Sequence, residues 1–246
     1  MTHLEGRLSV QAVMEAGRRT IEKLLVSNTA NEEKLEEVLK AARERNIPVQ
    51  RVASEELDAI AHAKTHGGLL ALCEPRRPDG EAELDAVLAR ERSPLMLLLE
   101  GVDDARDFGS VLRSGEALGV HAVLLRKREW DFDETDVMRS SSGAFERLCI
   151  VRFDHEDGLV ERMKTRGLAV LACVPNVMGT VFDQELATPV VIAVGGEKRG
   201  LSGTLRAKCT GFMRIPMKAG STSLTMRDAV AVVLGEAMRQ RTLPRR

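Results

Sequence analysis

Along the first 75 residues, apolar positions switch between the 3.6-residue period of a helix and the short unbroken runs of a buried strand. Leu8 to Gly17 reads as a short helix closed by glycine, and Thr20 to Val26 as a strand. Asn31 stands where an N-cap belongs, ahead of a helix with Leu35, Val38, Leu39 and Ala42 on one face. Ile47 to Val52 reads as a strand. Ser54 is expected to cap a second helix, with Glu55 and Glu56 near its positive end. Gly68 to Cys73 completes the set as another strand. The stretch Glu74-Pro-Arg-Arg-Pro-Asp-Gly then breaks the pattern with two prolines and a glycine, which predicts a linker over residues 76–93.

A second alternation begins at Pro94. Strands are expected at Leu95–Glu100, Ala122–Arg126, Leu148–Val151, Ala169–Cys173, Val190–Val194 and Phe212–Ile215. Helices are expected near Gly109–Leu118, Glu134–Ser140, Gly158–Thr165, Gly203–Lys208 and Arg227–Arg241. Continuous apolar strands separated by helices imply an α/β fold, a mostly parallel buried sheet with helices on both faces. The expected organisation is a small α/β domain over 1–75, a linker over 76–93 and a larger domain over 94–246.

Composition is that of a globular chain, 43% hydrophobic and 30% charged over 246 residues. The apolar runs, Pro94 to Leu99 among them, are too short to span a bilayer. The opening Met-Thr-His-Leu-Glu-Gly has no apolar signal core, which predicts a cytoplasmic protein without a membrane partner. Cys73, Cys149, Cys173 and Cys209 are scattered through or beside apolar runs, and no pair has metal-ligand spacing. They read as small buried hydrophobes.

A net charge of -1 gives no global signature of polyanion binding. Residues 1–92 carry 14 basic and 17 acidic side chains, and the remainder 22 and 20, too even a split to assign a nucleic-acid-binding half. Basic clusters at Arg18-Arg19, Arg76-Arg77, Arg126-Lys127-Arg128, Lys198-Arg199 and Arg245-Arg246 read as solvated surface patches. There is no Tyr, and all six Phe and the one Trp follow residue 100, so the first part has no base-stacking platform.

Candidate chemistry gathers in three loops, each after an expected strand. The first, Glu100-Gly-Val-Asp-Asp-Ala-Arg-Asp-Phe-Gly, places Asp103, Asp104 and Asp107 ahead of a helix that carries Arg113. The second, Val194-Gly-Gly-Glu-Lys-Arg-Gly, is a flexible turn holding Glu197. The third runs from Ile215-Pro-Met through a hydroxyl-rich loop into the last helix. In an open α/β sheet, ligands settle beyond the carboxyl ends of the strands, where these loops would meet.

Together these residues resemble the SpoU (TrmH-like) branch of the knotted RNA methyltransferases. The family's first motif, Asn-x-Gly-x-x-x-Arg, corresponds to Asp107-Phe-Gly-Ser-Val-Leu-Arg113. Its second, a glycine turn with an internal Glu, corresponds to Gly195, Gly196, Glu197 and Gly200. Its third, Ile-Pro-Met followed by Ser-Leu-Asn, corresponds to Ile215-Pro-Met and Ser223-Leu-Thr225. Ser142-Gly-Ala matches a further family feature, and His66-Gly-Gly-Leu-Leu-Ala looks like the end of the family's small RNA-binding domain.

The resemblance implies a C-terminal domain tied in a deep trefoil knot, an exception to the rule that folds are unknotted. It implies transfer of a methyl group from S-adenosylmethionine to a ribose 2′-hydroxyl of ribosomal or transfer RNA. It places Val194, Gly195, Gly196, Ile215, Met217 and Leu224 around the cofactor, with Cys173 nearby. It gives Arg113 the task of orienting and activating the hydroxyl, with Glu197 and Ser223 positioning Arg113 and the ribose. Asp107 and Thr225 stand in the same catalytic layer, where the family has asparagine. An arginine stays charged near neutrality, which favours electrostatic activation over proton abstraction. Family members pair through knotted domains, and the wide apolar arc of the last helix fits a homodimer. Two further classes stay open: a family member that binds RNA or cofactor without transfer, which the two replaced asparagines raise, and an unrelated nucleotide-binding α/β enzyme.

Overall fold

The computed structural model describes residues 1–62, 66–129, 131–154, 158–221 and 223–242, without the side chain of Arg128. The pair Arg245-Arg246 lies outside them. The chain divides into two compact units, one of residues 1–77 and 133–147, the other of 78–132 and 148–246.

The first unit holds β1 (Thr2–Glu5), α1 (Arg7–Ala16), β2 (Ile21–Ser27), α2 (Glu32–Glu44), β3 (Val49–Val52), α3 (Ser54–Ile60) and β4 (Leu69–Cys73). Its four strands run in the order β1-β4-β2-β3, with only β2 and β3 parallel. The Asn31 side chain accepts from Lys34 N–H at 3.1 Å and starts α2 as expected. Ser54 does not cap α3. The cap position is Ala53, and the Ser54 hydroxyl instead bonds those of Ser27 and Thr29, both at 2.7 Å.

The second unit begins inside the expected linker. There α4 (Glu81–Arg90) forms, with Gly80 N–H donating to Glu83 Oε2 at 2.9 Å. Next come β5 (Leu95–Glu100), α5 (Ala105–Ala117) and β6 (Ala122–Arg126). The chain then gives α6 (Glu134–Ser141) and α7 (Ala144–Arg147) to the first unit and returns for β7 (Cys149–Phe153). It finishes with α8 (Leu159–Thr165), β8 (Ala169–Cys173), β9 (Val190–Gly195), α9 (Gly203–Lys208), β10 (Gly211–Met213) and α10 (Met226–Thr242). The six strands form one parallel sheet in the order β10-β8-β9-β5-β6-β7, flanked by helices. All six residues of β5 are buried, as a strand covered on both faces requires.

Three expected surface arginines are buried. Arg19 donates to Glu146, to Glu134 at 2.6 Å and to the Glu74 carbonyl at 3.0 Å. Arg76 lies with its guanidinium 4.9 Å from the Phe145 ring centre. Arg126 pairs with Asp154 at 3.0 Å. Runs of charge alone could not distinguish these from their exposed neighbours; the partners come from distant parts of the chain.

Candidate functional site

Strand register brings the loops together. Parallel pairing sets Glu100 of β5 opposite Gly195 of β9, Val194 opposite Cys173 of β8, and Cys173 opposite Met213 of β10. Four strands therefore end at one level, and the residues after them share one edge of the sheet. After β9 the chain makes a tight turn, with Gly200 N–H donating to Gly196 O at 2.8 Å. Gly196 N–H donates to Glu100 O at 2.7 Å. A Cβ on Gly196 would lie 1.8 Å from Gly101 O, and one on Gly195 would lie 2.3 Å from the Gly200 carbonyl carbon. Close backbone approach within the protein thus demands both glycines.

Three carboxylates fix these loops, Glu100 buried, Glu129 half-buried and Asp104 exposed. Glu100 accepts from Ser202 N–H at 2.8 Å, ahead of α9. Glu129 accepts from Gly101 N–H at 2.8 Å and Val102 N–H at 3.3 Å. Asp104 accepts from the N–H groups of Arg106 and Asp107, so α5 starts at Ala105 and Asp107 lies within its first turn. The apolar pattern began only at Phe108, which is why the sequence placed Asp107 before the helix.

A cavity of about 310 Å³ opens at this strand edge. Cys173, Val194, Gly195, Gly196, Ile215, Met217 and Leu224 all line it, as do Glu197 and Ser223. Val174, Pro175, Leu201, Met226 and Ala229 complete the wall and were not singled out from sequence. Met226 and Ala229 lie in the first turn of α10, and a helix beginning directly after a binding loop was the available signal. Burial pushes the Cys173 thiol up to about 11, so it stands in the wall as a neutral group. The lining is largely backbone and apolar, with one carboxylate. It fits a flat heterocycle and a thioether chain held by main-chain groups.

The other three residues of interest do not line the cavity. Arg113 is exposed on α5 and makes no hydrogen bond or ion pair among the described residues. Asp107 bonds Arg227 at 3.3 Å, not Arg113. The Thr225 hydroxyl accepts from Asp228 N–H at 3.3 Å and so caps α10. The Asp107–Arg227 pair ties together the starts of α5 and α10, helices that pack on each other, while Thr225 serves the start of α10 alone.

The chain is similar to known proteins along most of its length. The family model described as "SpoU rRNA Methylase family" matches residues 94–235, and that described as "RNA 2'-O ribose methyltransferase substrate binding" matches residues 3–79. The 23S rRNA (guanosine-2'-O-)-methyltransferase of Pseudomonas putida is 30% identical over 249 residues and covers all of both chains. Its namesake in Vibrio cholerae is 28% identical, covering 96% of each chain. A crystal structure of an RNA 2'-O ribose methyltransferase superposes with a TM-score of 0.79 at 27% identity, covering 98% of this chain and 89% of that one. The SpoU methyltransferase AviRb from Streptomyces viridochromogenes, solved in complex with AdoMet, shares the fold with a TM-score of 0.81 at 24% identity, covering 97% and 90%.

Proposed function

The chain belongs to the SpoU rRNA methylase family, and from that membership we propose that it transfers a methyl group from S-adenosylmethionine to a ribose 2′-hydroxyl of ribosomal RNA. The observation that carries this reading is the cavity in which Gly195, Gly196, Ile215, Met217 and Leu224 meet beside Glu197 and Ser223. When bound, S-adenosylmethionine supplies an electrophilic methyl group on a sulfonium. Backbone groups of residues 194–196 and 215–217 would hold it, with Leu224 and Met217 as apolar walls at the mouth. Each of those two is 36% exposed, so each has area left to cover.

The remaining work belongs to side chains that orient the hydroxyl. Orientation of a bound nucleophile supplies about 7–11 kcal/mol in favourable cases. Arg113 is free to take a phosphate or the hydroxyl itself, and in this role it positions and polarises without giving up its proton. Glu197 and Ser223, at the cavity edge, would hold Arg113 and the ribose. Asp107 and Thr225 act through the frame, by holding the starts of α5 and α10.

In this reading the unit built on residues 1–75 binds RNA, and the unit built on residues 94–246, with α4 from the expected linker and without residues 133–147, is the methyltransferase domain tied in a trefoil knot. The knot is supported by β10 lying at the sheet edge while the helix that follows it packs on α5 and β9. A homodimer through α10 is supported by Val232, which is 39% exposed on a helix whose other valines are buried. The enzyme would work in the cytoplasm, and none of its described helices is long and apolar enough to cross a membrane. Mass spectrometry of nucleosides from unmodified ribosomal RNA, incubated with protein and S-adenosylmethionine, tests the reaction. A 2′-O-methylated nucleoside is expected only when both are present; none with a cofactor-binding protein would reject it. Sedimentation at micromolar concentration tests the dimer, and a species of monomer mass alone would reject it.

A further inference from the structure

The turn 196–200 borders two cavities. Gly196, Glu197 and Gly200 face the one already described, while Lys198 and Arg199 line a second of about 530 Å³. Gly101, whose carbonyl abuts Gly196, lines the second as well. Asp103, Asp131 and Phe132 supply much of the remaining wall.

Resting on the methyl-transfer reading above, we propose that this second cavity receives the base of the nucleotide being methylated. Asp131 would accept from a base edge that presents two adjacent N–H donors, as guanine does. Proximity fixes where the base must lie. A reacting hydroxyl must come within about 3–3.5 Å of the methyl group. The base is bonded to the same sugar, so it must lie in space bordering the cofactor cavity, and the shared turn provides that border.

The wall of the second cavity suits a base. Phe132 is half-buried and stacks on the fully buried Phe108, with ring centres 4.8 Å apart and an interplanar angle of 22°. A ring backed in this way is a fixed apolar surface, the kind on which unstacked RNA bases are held. The polar groups of this wall differ in whether they already have partners. Glu129 spends its oxygens on the Gly101 and Val102 N–H groups, and Asp103 pairs with Lys198 at 3.1 Å. Asp131 and Arg199 make no hydrogen bond or ion pair among the described residues. An ionised carboxylate only accepts. It matches the neighbouring N1–H and N2–H donors of guanine, whereas adenine and cytosine present a ring acceptor beside their amino group and uracil flanks one N–H with carbonyls. Arg199 is then left for the phosphate.

The test uses the full chain, isotopically labelled S-adenosylmethionine and unmodified large-subunit ribosomal RNA made by transcription. Wild-type protein is expected to form 2′-O-methylguanosine. Asp131→Asn exchanges one acceptor for a donor, and kcat/KM is expected to fall roughly fivefold to a hundredfold, as for loss of a bidentate base contact. Cofactor binding by calorimetry should not change. In a synthetic fragment carrying the mapped site, inosine for guanosine removes the exocyclic amine; it should slow the wild type and leave Asp131→Asn unaffected. Methylation of another nucleoside, or wild-type kcat/KM in both Asp131→Asn and Asp131→Ala, overturns the base site and leaves methyl transfer standing. Absence of any transfer by a wild type that binds cofactor overturns both.

Discussion

At the scale of single residues, the glycine turn has two jobs that the sequence could not separate. Small residues at Gly195 and Gly196 suit a turn whose backbone a ligand approaches. The structure adds a stricter cause, since a Cβ on Gly196 would meet Gly101 O at 1.8 Å. Gly196→Ala must therefore spread the loops after β5 and β9, a form of overpacking that costs typically about 1–3 kcal/mol. Chemical denaturation should show that loss, and titration with S-adenosylmethionine should show weaker binding. Unchanged affinity would mean that the two loops do not shape the cavity. Arg113 gives the opposite profile. It is exposed, does not line the cavity and has no side-chain hydrogen bond or ion pair among the described residues, so Arg113→Ala should leave stability and cofactor binding as they are. Methyl transfer should fall by roughly a hundredfold or more if orientation is its contribution; transfer at the wild-type rate would remove Arg113 from the site.

At the scale of elements, strand ends were legible and helix beginnings were less so. β5, β6 and β8 lie where the apolar runs predicted them to the residue, because a buried parallel strand reads as an unbroken apolar run that stops at a charged residue or a turn. The short edge strand β1 and the helix α4 were missed. One is four residues with a mixed pattern, and the other follows two prolines that dominate the local signal. The role of Thr225 was also illegible, since the family pattern sets an asparagine there and only the structure shows its hydroxyl capping α10. Removing that cap in Thr225→Ala should cost about 0.5–2 kcal/mol, while Thr225→Asn should hold stability because asparagine caps at least as well. Thermal denaturation of the two variants measures the difference. Equal melting points would deny the capping role. The motif Ser142-Gly143-Ala144 likewise acquires a structural cause. Gly143 has φ +87°, and a Cβ there would lie 2.5 Å from that of Ala12 on α1, so the motif seats α7 against α1.

At the scale of the whole molecule, the least legible feature is that residues 133–147 fold with the first 77 although β6 and β7 flank them in the chain. No period or motif signals this, because buried charges hold the segment in place. Arg19 donates to Glu134 and Glu146, and Arg76 N–H donates to Glu134 at 3.0 Å. The Arg19 and Glu146 side chains are 1% and 0% exposed. Two charges withdrawn from water are stabilising only as a pair, and removing one partner of such a pair costs about 3–5 kcal/mol because the other is left without compensation. Glu146→Gln should therefore destabilise the protein by about that amount, while Glu36→Gln on the exposed face of α2 should change it by less than about 0.5 kcal/mol. Hydrogen exchange locates the effect. Protection should fall over α6, α7 and β4, which this network joins, and persist in β5 and β9 at the centre of the other sheet. Equal loss of protection in β5 and β9 would show that the two units unfold as one, and that the network supports the methyltransferase sheet as well as the unit containing it.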